Sequence, residues 1–314
     1  SGLVGSEMCI RDRYAKRTFG EKLSASFDFI KENWKPLLKY TTYFLLPVSL
    51  IQALSLNGLM GGIVAFTNVA TDGGLVSEGG WGLSFLSYYG FYMLVYIIGT
   101  VLLSSLVYGL MRIYNEREER LEGVTFEMLK PVMMRNIGRL LLIALWAVVL
   151  AMAFFILMII LSIAFPFLLI LMIPAIVVFA VPLAIWAPIY LFEDISIVGS
   201  LKKAYRLGFA TWGGVFLVSF VMGIIAGILQ GVTMIPWYIL TLVKTFFAVN
   251  GTENAMTVST GYNFVLYLLG VVQAFGAYVS MIITLVGLAY QYGHASEKLD
   301  NVTVESDIDN FDKL

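Results

Sequence analysis

Positive charge falls in four blocks along this chain, and the uncharged stretches between them are long enough to cross a bilayer. A threading that alternates sides puts 19 of the 20 Lys and Arg on one face and leaves Lys244 alone on the other. That bias is the positive-inside signature of a multi-pass membrane protein, with the basic face cytoplasmic. Composition agrees: the chain is 59% hydrophobic and 13% charged, against about 45–50% and about 25% in soluble domains. One His and one Cys leave little for a metal centre or a thiol nucleophile, and no cofactor is expected. Ser1–Arg13 resembles a translated sequencing-adapter read-through and is set aside, taking Cys9 with it.

A spanning helix needs about 20 apolar residues. The first fits about Tyr40–Met60, followed by a glycine-rich outer loop over 57–82 with a short re-entrant or surface piece at Gly62–Ala70. The second fits about Leu83–Met111. Leu140 to Phe192 contains no charge over 53 residues, enough for two helices with a turn near Ser162–Pro166. Span five runs from Gly213 to Pro236, with 237–249 expected as an outer interfacial helix. Span six covers Phe264–Tyr290. The six-helix membrane domain thus occupies 14–293, and the acidic tail 294–314 is expected to be disordered. All six tryptophans fall near predicted span ends, where interfacial aromatic belts lie. The fold class is all-α, a polytopic integral membrane protein of the bacterial cytoplasmic membrane with both termini inside.

A basic segment of helical period precedes spans one, three and five. The first carries Phe19, Leu23, Phe27, Ile30 and Trp34; the third carries Ile197, Leu201, Tyr205 and Trp212, aligned on it at an offset of 178. The middle copy, from Thr125-Phe126 to Arg139, is shorter. Each opens on a Ser or Thr suited to N-capping. The repeating unit is an amphipathic helix followed by a transmembrane hairpin. Such helices can lie in the inner interface, giving Lys22, Lys31, Lys35, Lys130, Arg135, Lys202, Lys203 and Arg206 to anionic headgroups. They can equally brace the bundle as structural elbows, and amphipathicity alone leaves both readings open.

The run Glu193-Asp194-Ile195-Ser196-Ile197-Val198-Gly199-Ser200-Leu201-Lys202-Lys203-Ala204-Tyr205-Arg206-Leu207, entering a span behind Trp212, resembles a bacterial family. This is the membrane domain fused to some glycerophosphoryl diester phosphodiesterases, together with its stand-alone six-helix relatives. The resemblance covers most of residues 18–293. It implies a non-enzymatic membrane module, because the hydrolase domain with its catalytic His and acids has no counterpart here.

No predicted span has an Asp or Glu near its middle, which argues against proton or ion coupling. Gln52, Gln230 and Gln273 are expected to bridge helices. Ser219, Gly223, Gly227 and Gly231 recur every fourth residue, a spacing for close helix packing, expected within the bundle. The fourth span holds Pro166, Pro174, Pro182 and Pro188, whose freed carbonyls need other donors. Tyr88, Tyr92 and Tyr96 form a stripe read as bundle packing. The expected partners are membrane lipids or another membrane protein, not nucleic acid. A small-solute transporter or channel built on the proline-rich span is the second reading.

Overall fold

The chain folds into helices alone in a computed structural model that describes residues 13–71, 80–251 and 259–302; no strand occurs among the described residues. Hydroxyl groups start four of the helices, Ser259 before the last one included. Thr18 Oγ1 accepts the Glu21 N–H at 3.4 Å while the Glu21 carboxylate takes the Thr18 N–H at 2.7 Å. This reciprocal capping box opens α1 (Phe19–Glu32). One residue, Asn33, then breaks the helix and returns its side-chain amide to Phe29 O at 2.9 Å. Helix α2 (Trp34–Thr71) begins directly behind it, and α3 is Gly80–Glu116.

Thr125 caps α4 (Phe126–Ala164), which runs without a break through the basic segment into the third span. The middle amphipathic piece expected from the sequence is therefore continuous with its span. Nothing at its end does what Asn33 does after α1. A turn over 165–167 leads to α5 (Leu168–Ala180), a 3-10 turn (Val181–Ile185) and α6 (Trp186–Phe192). Ser196 Oγ, accepting from Gly199 N at 3.1 Å, opens α7 (Ile197–Ala210). Thr211 breaks it, bonding back to Leu207 O at 2.8 Å, and α8 (Trp212–Val249) follows. The last helix is α9 (Thr260–Asp300).

Six helical stretches are long and apolar enough to cross a membrane: Trp34–Leu59, Leu86–Glu116, Phe126–Ala164, Leu168–Phe192, Trp212–Ala248 and Thr260–Asp300. The third and fourth are 6% and 11% buried over their most apolar windows. Apolar surface so little covered by protein demands another apolar medium.

Three boundaries differ from the sequence reading. Helix α2 continues through 62–70, where a separate piece was expected. Helix α8 runs through Pro236, because one proline removes one backbone donor and the apolar residues on both sides keep the helix going. Helix α9 continues past His294 to Asp300, since Ala295, Ser296 and Glu297 are buried against the protein. The expected outer loops at 72–79 and 252–258, the first twelve residues, and the tail beyond 302 lie outside the described residues.

Contacts group the chain into two compact units. The first comprises the residues up to Leu37, Ser104–Ile224 and those from Ile282 onward; the second comprises Leu38–Leu103 and Ile225–Met281. In the second unit, buried Gln52 accepts the Tyr278 hydroxyl at 2.5 Å, and the Tyr267 hydroxyl reaches Leu50 O at 2.9 Å. Gln52 thus bridges helices as expected. Tyr92 is the member of the tyrosine stripe that also bonds Gln52, while Tyr88 and Tyr96 are exposed.

The core of the first unit gathers Ile185, Trp186, Ile189, Ala204, Leu207, Val215 and Tyr292. Trp186 Nε1 donates to Ser200 Oγ at 2.9 Å, holding α6 to α7. Gly208 lets α7 approach the 3-10 turn: a Cβ there would stand 2.5 Å from Pro182 Cβ and 2.7 Å from its Cα. Pro182 has no N–H to give Val178, the residue four before it. Trp212 Nε1 donates to Val178 O instead, at 3.2 Å. A proline-freed carbonyl is thereby satisfied by the tryptophan that opens the next span.

Candidate functional site

The basic face of the first unit is where chemistry-bearing side chains converge. Helix α6 ends at Glu193 with carbonyls that have no helical partner. Arg139 donates to Tyr190 O and, at 2.8 Å, to Glu193 O, with its guanidinium 4.4 Å from the Tyr190 ring centroid. Arg135, one turn earlier on α4, donates to Leu191 O at 3.1 Å and to the Asp194 carboxylate. Two arginines spaced i, i+4 therefore cap the negative end of α6.

The Glu193 carboxylate turns the other way. Lys203 Nζ lies 2.8 Å from it and 3.4 Å from Asp300, and Arg206 pairs with Asp300 at 2.9 Å. The Tyr292 hydroxyl donates to Glu193 at 2.5 Å and meets the Tyr14 hydroxyl at 3.0 Å. These contacts tie α6, α7 and the end of α9 together.

A second cluster is buried. Lys22, 5% exposed, donates to Gln291 Oε1 at 2.8 Å, and Gln291 Nε2 reaches Thr211 Oγ1 at 3.3 Å. Burial, with Lys298 nearby, pushes the Lys22 ammonium down to about 8. The Arg17 N–H donates to His294 Nδ1 at 2.9 Å.

The eight cations expected to meet headgroups thus divide into two groups. Lys22 is a correction: its side chain is enclosed by protein and bonded to Gln291. Arg135, Lys203 and Arg206 are held by Asp194, Glu193 and Asp300. Lys31, Lys35, Lys130 and Lys202 are exposed and form no ion pair among the described residues. Lys35 rests near the Trp34 ring at 5.9 Å.

The two faces of α1 are disposed unexpectedly. Lys22, Ser26, Phe29 and Asn33 face the protein and are buried. The apolar stripe is split: Phe19, Leu23 and Ile30 are half-buried, while Phe27 is 37% exposed and Trp34, the first residue of α2, is 53% exposed. On α7 the buried residues are Ser200, Ala204, Leu207 and Gly208, while Ile197 and Leu201 pack partly against the core.

The stripe on α8 needs a second correction. A Cβ added at Gly223, Gly227 or Gly231 would meet nothing within 4 Å, whereas Ser219 Oγ is buried without a hydrogen-bond partner among the described residues. Among the described residues nothing packs against the three glycines, so the expected intramolecular packing is not made at those positions.

The described residues of the first unit enclose, among other spaces, a polar and an apolar cavity. One, about 280 Å³, is polar, lined by Arg17, Asp28, Glu32, Tyr114, Arg120 and Tyr290. Arg120 adopts a positive φ of 56° and donates to Glu32 at 3.2 Å and to Tyr114 Oη at 2.6 Å. The other, about 170 Å³, is apolar and lies between α4 and α5 beside Tyr205 of α7.

Sequence reasoning did not single out Gln291, Tyr292 or Asp300. The first two follow an apolar span directly, and a polar pair in that position was the available signal. Asp300 was assigned to the tail. Comparison with protein-family models, with curated proteins and with solved structures found no match to this chain.

Proposed function

We propose that this protein is a non-enzymatic membrane module that engages lipid at its basic face, in a bacterial cytoplasmic membrane with both termini inside. The carrying observation is a pair of exposed aromatics among free lysines, Phe27 of α1 and Trp34 at the start of α2. Phe27 and Trp34 are exposed, with unpaired Lys31 and Lys35 beside them, while the protein-facing side buries Lys22, Ser26 and Phe29, followed by Asn33. Phe29 alone of these aromatics is turned inward; leaving Phe27 and Trp34 in water would forgo about 1.5–3 kcal/mol of burial each. A bilayer interface accepts both parts, with rings among acyl chains and ammonium groups among anionic headgroups.

The helix-plus-hairpin repeat fits the same reading. Asn33 and Thr211 stand 178 positions apart, each the single residue between an amphipathic helix and a span that opens on tryptophan. The resemblance to the phosphodiesterase-associated membrane domain implies a module of this kind.

The test places a nitroxide at F27C, in full-length protein with Cys9 replaced, in bilayers containing phosphatidylglycerol. Accessibility to oxygen well above accessibility to a water-soluble nickel chelate is expected. The reverse order at position 27 would overturn the reading. A second reading, a passive small-solute transporter, is favoured by the 3-10 turn at Val181–Ile185 inside the fourth span, since such breaks often mark hinges. Solute flux in sealed vesicles discriminates the two.

A further inference from the structure

We infer that the apolar groove between α4 and α5 is a seat for one acyl chain of an anionic glycerophospholipid, whose phosphate is held at its mouth by Lys202 and Tyr205. The inference rests on the lipid-engaging reading above and gives it one specific site.

The groove follows from residue size along α4. Ala147 and Ala151 share a helix face with Phe154 and Phe155, at i, i+4 and i+7 or i+8. Small side chains between large ones leave a trough, and Ile176, Phe179 and Ala180 of α5 form the facing wall. From Ala147 to Phe155 the trough extends about 12 Å at about 1.5 Å per residue. Its volume of about 170 Å³ and apolar lining suit a hydrocarbon chain and offer nothing to a polar solute.

One side of the trough is closed by α7. Tyr205 lines it and stacks on Phe209 at 5.5 Å, and Phe209 meets Phe179 edge-on at 6.1 Å. The Tyr205 hydroxyl has no hydrogen-bond partner among the described residues. Lys202 lies one turn before Tyr205, so their Cβ atoms are neighbours about 5–6 Å apart on the helix surface. It is exposed and has no counter-ion among the described residues, whereas Lys203 and Arg206 beside it are both occupied by carboxylates. A hydrocarbon trough with a free ammonium and a free phenol at its rim is complementary to an amphiphile with an anionic head. A zwitterionic lipid would fill the trough equally but gain less at Lys202, because its own ammonium opposes the charge.

The experiment uses the full chain in nanodiscs of phosphatidylcholine and phosphatidylglycerol, with a trace of either lipid spin-labelled on its acyl chain. The wild type should immobilise labelled phosphatidylglycerol about fivefold more than labelled phosphatidylcholine. A151L, which fills the trough from a lipid-facing position, should abolish the immobilised signal for both lipids. A153L puts the same side chain on the same helix away from the groove and should behave as wild type. K202Q should keep the immobilised chain but bring the two lipids to within about twofold of each other. Far-ultraviolet circular dichroism and melting confirm that each variant is folded.

Immobilisation by A151L equal to wild type would overturn the groove. Equal binding of both lipids by the wild type would overturn the head-group half. If A151L changes nothing while the nitroxide at position 27 still reports bilayer, the groove alone fails. If position 27 reports water, the broader reading fails with it.

Discussion

Lys202 and Lys203 are adjacent in sequence and opposite in circumstance. Lys203 Nζ stands 2.8 Å from the Glu193 carboxylate and 3.4 Å from that of Asp300, while Lys202 faces outward without an ion pair among the described residues. The helical step of about 100° between neighbours turns one into the protein and the other away from it. Removing Lys203 leaves the Glu193 carboxylate, with 18% of its side-chain surface exposed, without its cation, while Asp300 keeps Arg206. K203Q should therefore lower stability by about 1–3 kcal/mol, and K202Q should stay within about 0.5 kcal/mol of wild type. Thermal melting of both variants in one detergent checks this, and equal losses would contradict it.

Lys22 gives a pH dependence of definite sign. Its ammonium titrates at about 8 in the folded protein against an ordinary 10.5, so the folded chain releases this proton before the unfolded chain does. Stability should then rise with pH from about 8 toward 10.5, and be flat in this contribution below pH 8. K22M lacks the titrating group. Melting temperature of the wild type relative to K22M should climb across that window; parallel curves would show that Lys22 keeps its normal proton affinity.

Two glycines should respond oppositely to alanine. At Gly208 the new methyl meets Pro182 backbone at 2.7 Å, so α7 and the 3-10 turn must separate. G208A should cost about 1–3 kcal/mol. At Gly227 nothing lies within 4 Å, and alanine is the better helix former by up to about 1 kcal/mol. G227A should be neutral or stabilising in the isolated protein. Comparable destabilisation of both would place an unseen partner on the α8 face.

Trp212 should matter for one hydrogen bond more than for its ring. W212F keeps an aromatic side chain stacked near Phe216, now 5.3 Å away, but strands the carbonyl of Val178. A loss of about 1–2 kcal/mol is expected. Replacing Pro182 by alanine in the same protein should return part of it, because residue 182 can then donate to Val178. Additive effects of the two substitutions would argue against the shared carbonyl.

Sidedness is checked with an impermeant maleimide on intact cells, in protein whose Cys9 has been replaced. A cysteine at exposed Asn250 should label from outside, and one at exposed Thr125 should not. Labelling at position 125 would reverse the orientation drawn from the basic blocks.

The helix starts were legible because Thr18, Thr125 and Ser196 act locally, within three residues of themselves. The span positions were legible because charge is excluded from hydrocarbon. The inward face of α1 was not. Helical period tells which residues share a face, yet Lys22 is drawn inward by Gln291, 269 positions away. Pro236 misled for a related reason. Proline ends helices in water, where competing solvation is available, but a helix in an apolar setting has nothing better to become. The small-residue stripe signals close approach without naming the partner, and among the described residues nothing packs against its three glycines.

The sparse protein cover of the third and fourth stretches bears on how the chain is made. With 6% and 11% of their most apolar windows buried, these helices take their place in the bilayer on hydrophobicity alone. The hairpin from Leu140 to Phe192 can leave the insertion machinery as an autonomous pair. The second stretch, Leu86–Glu116, is 61% buried, and part of that cover, such as the bond from the Tyr108 hydroxyl to Leu285 O, comes only once the last helix has been synthesised. Biogenesis of this protein is thus expected to run from the middle of the chain outward, with an early hairpin waiting in lipid for its two ends.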